Sequence, residues 1–246
     1  MTNDTDTLDG ISAVNKREVR RVISSGNVEL DSRMGGGLPA GSLTLIEGGS
    51  GSGKSVLSQQ ILFGSMLDGY SAAVFTSENT VKSMISQMQS IDMDVLDFLL
   101  IRRLRIYPME LSRMGQKAPF YLLAALKKEI DNDVIVVDSF TSTITEDTND
   151  SDLLSFFEEC KRLCAKGTTI IVTLHANSAD GDLLDRVRSL CDAHLNLRSM
   201  QDGQRIVKTL EVLKVRGAAS VTGSIVGFEV EPGWGMRVIP ISKARG

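Results

Sequence analysis

The 246-residue chain has 42% hydrophobic residues, enough to bury the core of one α/β domain. Its formal net charge of −4 gives the protein as a whole no electrostatic attraction to nucleic acid, so nucleic-acid binding is not expected. No apolar run approaches the roughly 20 residues that span a bilayer, and the first ten residues are too polar for a signal peptide. We therefore expect a cytoplasmic protein without direct membrane insertion. The three cysteines, Cys160, Cys164 and Cys191, are predicted to be buried reduced thiols.

The chain begins with a polar segment that we predict to be a tail or docking region. It covers residues 1–27 and includes a basic run at 16–21. Residues 28–246 form a single predicted domain. A turn-forming cluster at 34–41 leads into the first core strand at 42–47.

After a glycine-rich loop, amphipathic helices alternate with strands that are apolar throughout. The predicted helices are 54–68, 80–90, 119–131, 151–165 and about 181–191. The predicted strands are 72–77, about 100–106, 133–138 and 168–174. This alternation predicts an α/β fold with a mostly parallel central sheet and helices on both faces.

Beyond about residue 192 the pattern changes to alternating strands joined by short polar turns. Leu195 and Leu197 alternate with Asn196 and Arg198, which predicts one buried and one solvent-facing side. We expect C-terminal antiparallel strands that extend one edge of the sheet.

The loop GGSGSGKS is the most informative motif of the chain, since it fits the phosphate-binding pattern G-x-x-x-x-G-K-[ST] between a strand and a helix. Its glycines let successive N–H groups converge on an anion, and the helix start adds its dipole. Lys54 is expected to reach the β- and γ-phosphates, and the Ser55 hydroxyl to bind Mg²⁺. The residues predicted to bind the nucleotide are Gly48, Gly49, Ser50, Gly51, Ser52, Gly53, Lys54, Ser55 and Val56.

Two carboxylates follow predicted core strands, where open α/β sheets bind their ligands. Asp138 ends the strand 133–138 and is predicted to hold Mg²⁺; the alternative is that Asp138 or Ser139 caps the next segment. Glu78 follows the strand 72–77 and can orient or deprotonate a water; capping of the helix 80–90 is equally consistent with its position.

The chain has two histidines. His175 follows the strand 168–174, where it is either a sensor of the γ-phosphate or a hydrogen-bonded structural residue. His194 begins a strand without an evident partner, and we assign it no role.

Lys214 and Arg216 lie on one face of a long C-terminal strand that ends at Gly217. Two interpretations are open. The cations can form a solvated edge that guards against aggregation, or they can project across a subunit boundary onto a neighbour's triphosphate.

Several of these segments together resemble KaiC-like members of the RecA-type ATPases. They are the lead-in GGLPAGSLTLIEG, the glycine loop, DVIVVDS, the Ser-Glu-Asn and Thr-Leu-His-Ala-Asn segments, and Lys-Val-Arg-Gly-Ala; the similarity runs from about Val28 to the C-terminus. The resemblance implies a RecA-like P-loop NTPase core that binds ATP and Mg²⁺. It also implies a homo-oligomer, a hexameric ring with nucleotide at the subunit interfaces, in which Lys214 and Arg216 are candidates for contact in trans.

Within that group the chain is most similar to accessory nucleotide-binding proteins of the archaeal flagellum (archaellum) motor. The implied partners are the motor's secretion-type hexameric ATPase and its membrane platform, which implies a cytoplasmic location peripheral to a membrane-embedded motor. KaiC-type enzymes commonly carry two adjacent glutamates after the second core strand, whereas this chain has Ser77 and Glu78. We therefore expect a nucleotide-dependent switch, at most a slow ATPase or autokinase.

Two alternative functions share the fold. A RadB- or RecA-like DNA-recombination ATPase would need a strand-binding surface, but the chain's basic run is short: Lys16, Arg17, Arg20 and Arg21. A KaiC-like signalling ATPase would phosphorylate its own serine or threonine residues.

Overall fold

A nine-stranded mixed sheet lies at the centre of the computed structural model, which describes residues 22–202, 205–217 and 223–239. The strands are β1 (Val22–Ile23), β2 (Leu38–Pro39), β3 (Leu43–Gly48), β4 (Ala72–Thr76), β5 (Leu104–Pro108), β6 (Val134–Asp138), β7 (Thr169–His175), β8 (Ala193–Asp202), β9 (Arg205–Val215), β10 (Ser224–Glu231) and β11 (Gly235–Ile239). The α-helices are α1 (Val28–Arg33), α2 (Lys54–Leu67), α3 (Val81–Ser90), α4 (Leu96–Leu100), α5 (Ala118–Lys128), α6 (Asp150–Cys164) and α7 (Gly181–Leu190). None of the helices in these three ranges is long and apolar enough to cross a membrane.

β1 and β2 form a separate two-stranded sheet. The other nine strands form the large sheet in the order β11-β10-β9-β8-β3-β7-β6-β4-β5. The six strands from β8 to β5 run parallel, and β9, β10 and β11 continue the sheet in antiparallel fashion. This confirms the predicted fold class. One detail differs, because β8 pairs in parallel with β3 and the antiparallel part begins only with β9.

Two apolar layers cover the sheet, which explains why its central strands have no polar face. On one side, Ile46 of β3 packs in a layer with α1 to α4. On the other side, Leu43 and Leu45 pack against α5, α6 and α7. The three cysteines lie buried and unpaired in this second layer, as predicted, and burial raises the pKa of Cys164 and Cys191 to about 12.

Two short helices were not predicted. α1 has six residues and α4 has five, too few for helical periodicity to show in the sequence. The Asn27 side chain caps α1 by accepting from the backbone N–H groups of Glu29 and Leu30 at 3.1 and 3.0 Å. Because α4 takes the residues up to Leu100, β5 begins at Leu104 rather than at about residue 100.

Residues 22–27, which we assigned to the polar N-terminal segment, are packed into the fold. β1 pairs with β2, and the Ile23 side chain is buried. The Asn27 amide donates to the carbonyl of Met236 at 2.8 Å, which ties this segment to β11. The packed region therefore starts ahead of the predicted boundary at Val28; residues 1–21 lie outside the described residues.

Gly64 of α2 provides a test of this packing. A Cβ added there would lie 2.2 Å from both the carbonyl carbon of Ser25 and the backbone nitrogen of Gly26. We expect Gly64→Ala to lower the free energy of unfolding by about 1–3 kcal/mol, as overpacking does. Chemical denaturation measures the effect. Gly181→Ala is the matched control, since a Cβ at that helical position meets nothing within 4 Å. Equal stability of the two variants would contradict the packing of residues 22–27 against α2.

Candidate nucleotide-binding site

The carboxyl ends of β3, β4, β6 and β7 meet at one edge of the sheet, where α/β folds bind their ligands. β3 leads into the glycine loop, and β7 lies between β3 and β6. Asp138 therefore lies two strands away from Gly48, at the same edge.

The glycine loop has the backbone geometry of a phosphate cradle. Gly51 and Gly53 have φ angles of +69° and +103°, which favour glycine, and Gly53 directly precedes α2. A Cβ at Gly49 or Gly51 would meet nothing within 4 Å, so the loop rim is open. The first turn of α2 adds its free N–H groups and its dipole. This cradle fits the phosphate groups of a nucleotide.

Lys54, the first residue of α2, closes over the loop. Its Nζ donates to the carbonyls of Gly48 at 3.0 Å and Gly49 at 2.8 Å. Burial lowers the pKa of Lys54, and the charges of Glu78 and Asp138 oppose this shift. The buried ammonium can exchange its bonds to loop carbonyls for bonds to phosphate oxygens.

Asp138 lies at the bottom of the site, and its side chain is almost fully buried. Its Oδ1 accepts from Thr173 Oγ1 at 2.7 Å and from Ser55 Oγ at 3.2 Å. Burial raises the pKa of Asp138, although both hydrogen bonds act in the opposite direction. Ser139, and not Asp138, accepts from the backbone N–H of Thr141 as the cap of the following turn.

The joint position of Asp138 and Ser55 suits Mg²⁺, which prefers carboxylate and hydroxyl oxygens together with its own waters. The Thr173 contact was not predicted. Its sequence signal is a hydroxyl residue that follows the apolar run Ile170 to Val172 of β7.

The segment after β4 carries one carboxylate. The Ser77 hydroxyl accepts from the backbone N–H of Ser139 at 3.2 Å, donates to its carbonyl at 3.1 Å, and lies 2.8 Å from the Ser142 hydroxyl. Thr80 rather than Glu78 caps α3. Ser77 thus fixes the backbone after Asp138, and Glu78 has an exposed side chain whose charge acts on Lys54.

His175 ends β7 at the same edge, with a half-buried side chain. Its backbone N–H donates to Thr141 Oγ1 at 2.9 Å. Burial and the charge of Lys54 lower the pKa of His175, and the charge of Glu78 opposes them. This shift favours the neutral form of the ring, which can hydrogen-bond, at the carboxyl end of β7.

Lys214 and Arg216 lie near the end of the sheet that is opposite the carboxyl ends of the parallel strands. Lys214 pairs with His194 at the start of β8, whereas Gly48 pairs with Leu197, three residues or about 10 Å further along that strand. Lys214 Nζ donates to the carbonyl of Ser189 at 3.2 Å, and Arg216 donates to Asp192 at 3.3 Å. The two cations do not line the phosphate loop of their own chain.

Sequence reasoning missed a buried ionic cluster formed by Glu47, Arg188 and His194. Glu47 Oε1 accepts from Arg188 Nη2 at 2.5 Å, and Oε2 accepts from Arg188 Nε at 2.9 Å. His194 Nε2 lies 2.8 Å from Oε2, so the assignment of no partner to His194 was wrong. The partners are more than 140 residues apart in sequence, and no local pattern signals such a contact. The cluster and Gly49 line one cavity of about 730 Å³.

The ionisation of Glu47 makes the stability of the fold depend on pH in the acidic range. Burial alone raises the pKa of Glu47, but the hydrogen bonds from His194 and Arg188 and their charges lower it to about 2. A carboxylate whose folded-state pKa is depressed stabilises the fold above its unfolded-state pKa, and this contribution is lost as pH falls toward 2. We therefore expect Glu47→Gln to reduce the loss of thermal stability between pH 5 and pH 3, measured by circular dichroism. An unchanged acid dependence would contradict the depressed pKa.

Comparison with known proteins agrees with this geometry. Residues 23–243 match the family model described as "ATPase: KaiC". The archaeal flagellar ATP-binding protein FlaH of Sulfolobus acidocaldarius is 32% identical over 230 residues, covering 91% of this chain and 99% of that protein. The crystal structure of the flagellar accessory protein FlaH from Methanocaldococcus jannaschii superposes with a TM-score of 0.79 at 26% identity, covering 90% of this chain and 99% of that one.

A KaiC-like protein from Pyrococcus horikoshii shares the fold, with a TM-score of 0.72 at 21% identity over 89% of this chain and 99% of that chain. The circadian clock protein KaiC of Synechococcus elongatus is 28% identical over 200 residues, but this chain covers 38% of its length. The two matches to FlaH given above extend over nearly the whole length of both compared chains. The chain belongs to the FlaH branch of the KaiC-like ATPases.

Proposed function

We propose that this protein is the ATP-binding regulatory subunit of an archaellum motor, and that nucleotide occupancy rather than turnover is its signal. The observation that carries the proposal is the 32% identity to an archaeal flagellar ATP-binding protein along 99% of its length. The complete phosphate cradle at the carboxyl edge of the sheet supports it independently.

ATP binds as its Mg²⁺ complex in this proposal. The loop N–H groups hold the α- and β-phosphates, and Lys54 leaves its carbonyl partners to bind the β- and γ-phosphates. Ser55 and Asp138 hold Mg²⁺, which neutralises phosphate charge when bound. His175 and Glu78 face the γ-phosphate, where they distinguish a triphosphate from a diphosphate.

Slow hydrolysis follows from the single carboxylate after β4. Glu78 alone is available to orient or deprotonate a water, because the Ser77 hydroxyl is engaged with Ser139 and Ser142. The Glu78 side chain is also exposed to solvent. The bound triphosphate therefore persists.

Lys214 and Arg216 act in trans in this proposal. They lie too far from their own loop to touch its phosphates. Both side chains are nevertheless partly exposed, at the end of the sheet opposite the loop. In a hexameric ring they reach the triphosphate of the neighbouring subunit, so that nucleotide at the interface stabilises the ring. The cytoplasmic ring binds the secretion-type motor ATPase and the membrane platform.

Nucleotide-dependent assembly tests the function. The protein is incubated with Mg²⁺–ATP, Mg²⁺–ADP or no nucleotide and passed over the immobilised motor ATPase of the same archaellum. We expect the motor ATPase to capture the protein with ATP, and to capture at least roughly tenfold less of it without nucleotide. This is the behaviour of a ligand that binds one conformational state in preference to another. Equal capture under the three conditions would contradict the switch.

A further inference from the structure

Glu47 lies where its side chain can control the phosphate loop. It is the charged residue of β3, it is almost fully buried, and it directly precedes Gly48. The carbonyl of Gly48 is one of the two that hold Lys54. No residue separates the anchored carboxylate from the first peptide of the loop.

The loop entry tolerates little displacement. A Cβ at Gly48 would lie 2.5 Å from the carbonyl oxygen of Leu197 and 2.6 Å from Ser52 Oγ. The backbone is thus confined between β8 on one side and the loop on the other. The carbonyl that Lys54 contacts belongs to Gly48 itself, so a displacement of Gly48 moves that carbonyl.

The fold alone does not account for this ion cluster. A buried carboxylate is costly unless it is fully paired, and apolar residues of similar size commonly stabilise a core as well or better. Glu47 receives a forked pair of bonds from Arg188 of α7 and one bond from His194 of β8. The carboxylate is held from two elements, so neither oxygen can rotate away.

The charge of Glu47 also affects the phosphate loop. Glu47 places a negative charge one residue from a site that receives phosphates, and this charge repels them unless it is compensated. Arg188 compensates it at close range while staying one-third exposed toward the cavity shared with Gly49. Loss of Arg188 leaves a buried anion beside the loop with its contact to His194 but without the guanidinium charge.

We propose that Glu47, held by Arg188 and His194, is a positioning residue that fixes the first peptide of the phosphate loop in its triphosphate-binding geometry. The inference rests on the proposed binding of ATP. It assigns to the cluster no contact with the nucleotide. It predicts that pairing within the cluster, rather than the presence of either ion, sets the affinity.

The test is a double-mutant cycle read by the binding of a fluorescent ATP analogue with Mg²⁺, with thermal unfolding measured in parallel. Arg188→Gln is expected to weaken binding roughly tenfold or more, because it removes the charged partner of Glu47 and leaves, of the two partners described above, only the contact with His194. The double variant Glu47→Gln/Arg188→Gln replaces the ion pair with two amides that can still hydrogen-bond, and it is expected to recover part of the affinity that Arg188→Gln alone loses. Arg186→Gln removes a positive charge from the exposed face of the same helix and is expected to bind normally.

Affinity measured at a temperature where every variant is folded separates positioning from stability. If the unmodified protein binds the analogue and Arg188→Gln binds it with the same affinity, the positioning role alone is overturned. The positioning role is also overturned if the losses of binding free energy in Glu47→Gln and Arg188→Gln add up to the loss in the double variant. No saturable binding by the unmodified protein overturns both this inference and the proposed function.

A second pair of variants applies if Arg188→Gln does not fold. His194→Gln keeps a donor toward Glu47 Oε2 and is expected to bind within roughly twofold of the unmodified protein, whereas His194→Leu leaves that oxygen one donor short and is expected to bind more weakly. Equal affinity of these two folded variants overturns the proposal.

Discussion

Replacement of Lys54 by alanine is expected to abolish ATP binding at micromolar nucleotide while the protein stays folded. Lys54 is a buried cation over the loop, and we propose that it binds the β- and γ-phosphates of the nucleotide. Truncation of one partner of a buried charge pair costs about 2–5 kcal/mol, which corresponds to a loss of roughly 30- to 4,000-fold in affinity. Titration with a fluorescent ATP analogue measures the loss.

The matched control for this prediction is Lys82→Ala, which removes a lysine from the exposed side of α3. It is expected to bind the analogue like the unmodified protein. Unchanged binding by a folded Lys54→Ala variant would show that the nucleotide does not occupy the glycine loop.

Asp138→Asn is expected to remove the Mg²⁺ dependence of ATP binding. The amide keeps the shape of the carboxylate but lacks the charge that holds the ion's waters, and it disturbs the contacts with Ser55 and Thr173. Residues that hold a metal through its outer shell typically contribute roughly 10- to 100-fold in affinity. Isothermal titration with and without Mg²⁺ measures the change.

Asp147→Asn, at an exposed position beyond the site, provides the control for charge removal. A folded Asp138→Asn variant that keeps the full enhancement by Mg²⁺ would place the metal elsewhere.

The sequence predicts the phosphate loop and the order of the core elements well, because their signals are local. Gly48 to Ser55 form one continuous motif, and the apolar run that ends at Asp138 is readable without knowledge of its neighbours. Parallel packing then brings the strand ends to one edge, where the structure places Glu78, Asp138 and His175.

Features that depend on distant partners could not be predicted. Glu47 reads as a polar residue at a strand end, and its contacts with Arg188 and His194 span more than 140 residues. The separation of Lys214 and Arg216 from their own loop depends on the register of β9 against β8, which no motif encodes. The short helices α1 and α4 depend on an Asn27 cap and on packing against the sheet rather than on periodicity.

We propose that occupancy of the nucleotide site, not its turnover, carries the signal. The most direct measurement combines ATP binding with steady-state phosphate release by the isolated protein, in the unmodified form and in Glu78→Gln. We expect saturable Mg²⁺–ATP binding in both forms and turnover below roughly one per second, well under typical enzymes. Turnover of tens per second that Glu78→Gln abolishes would contradict the claim.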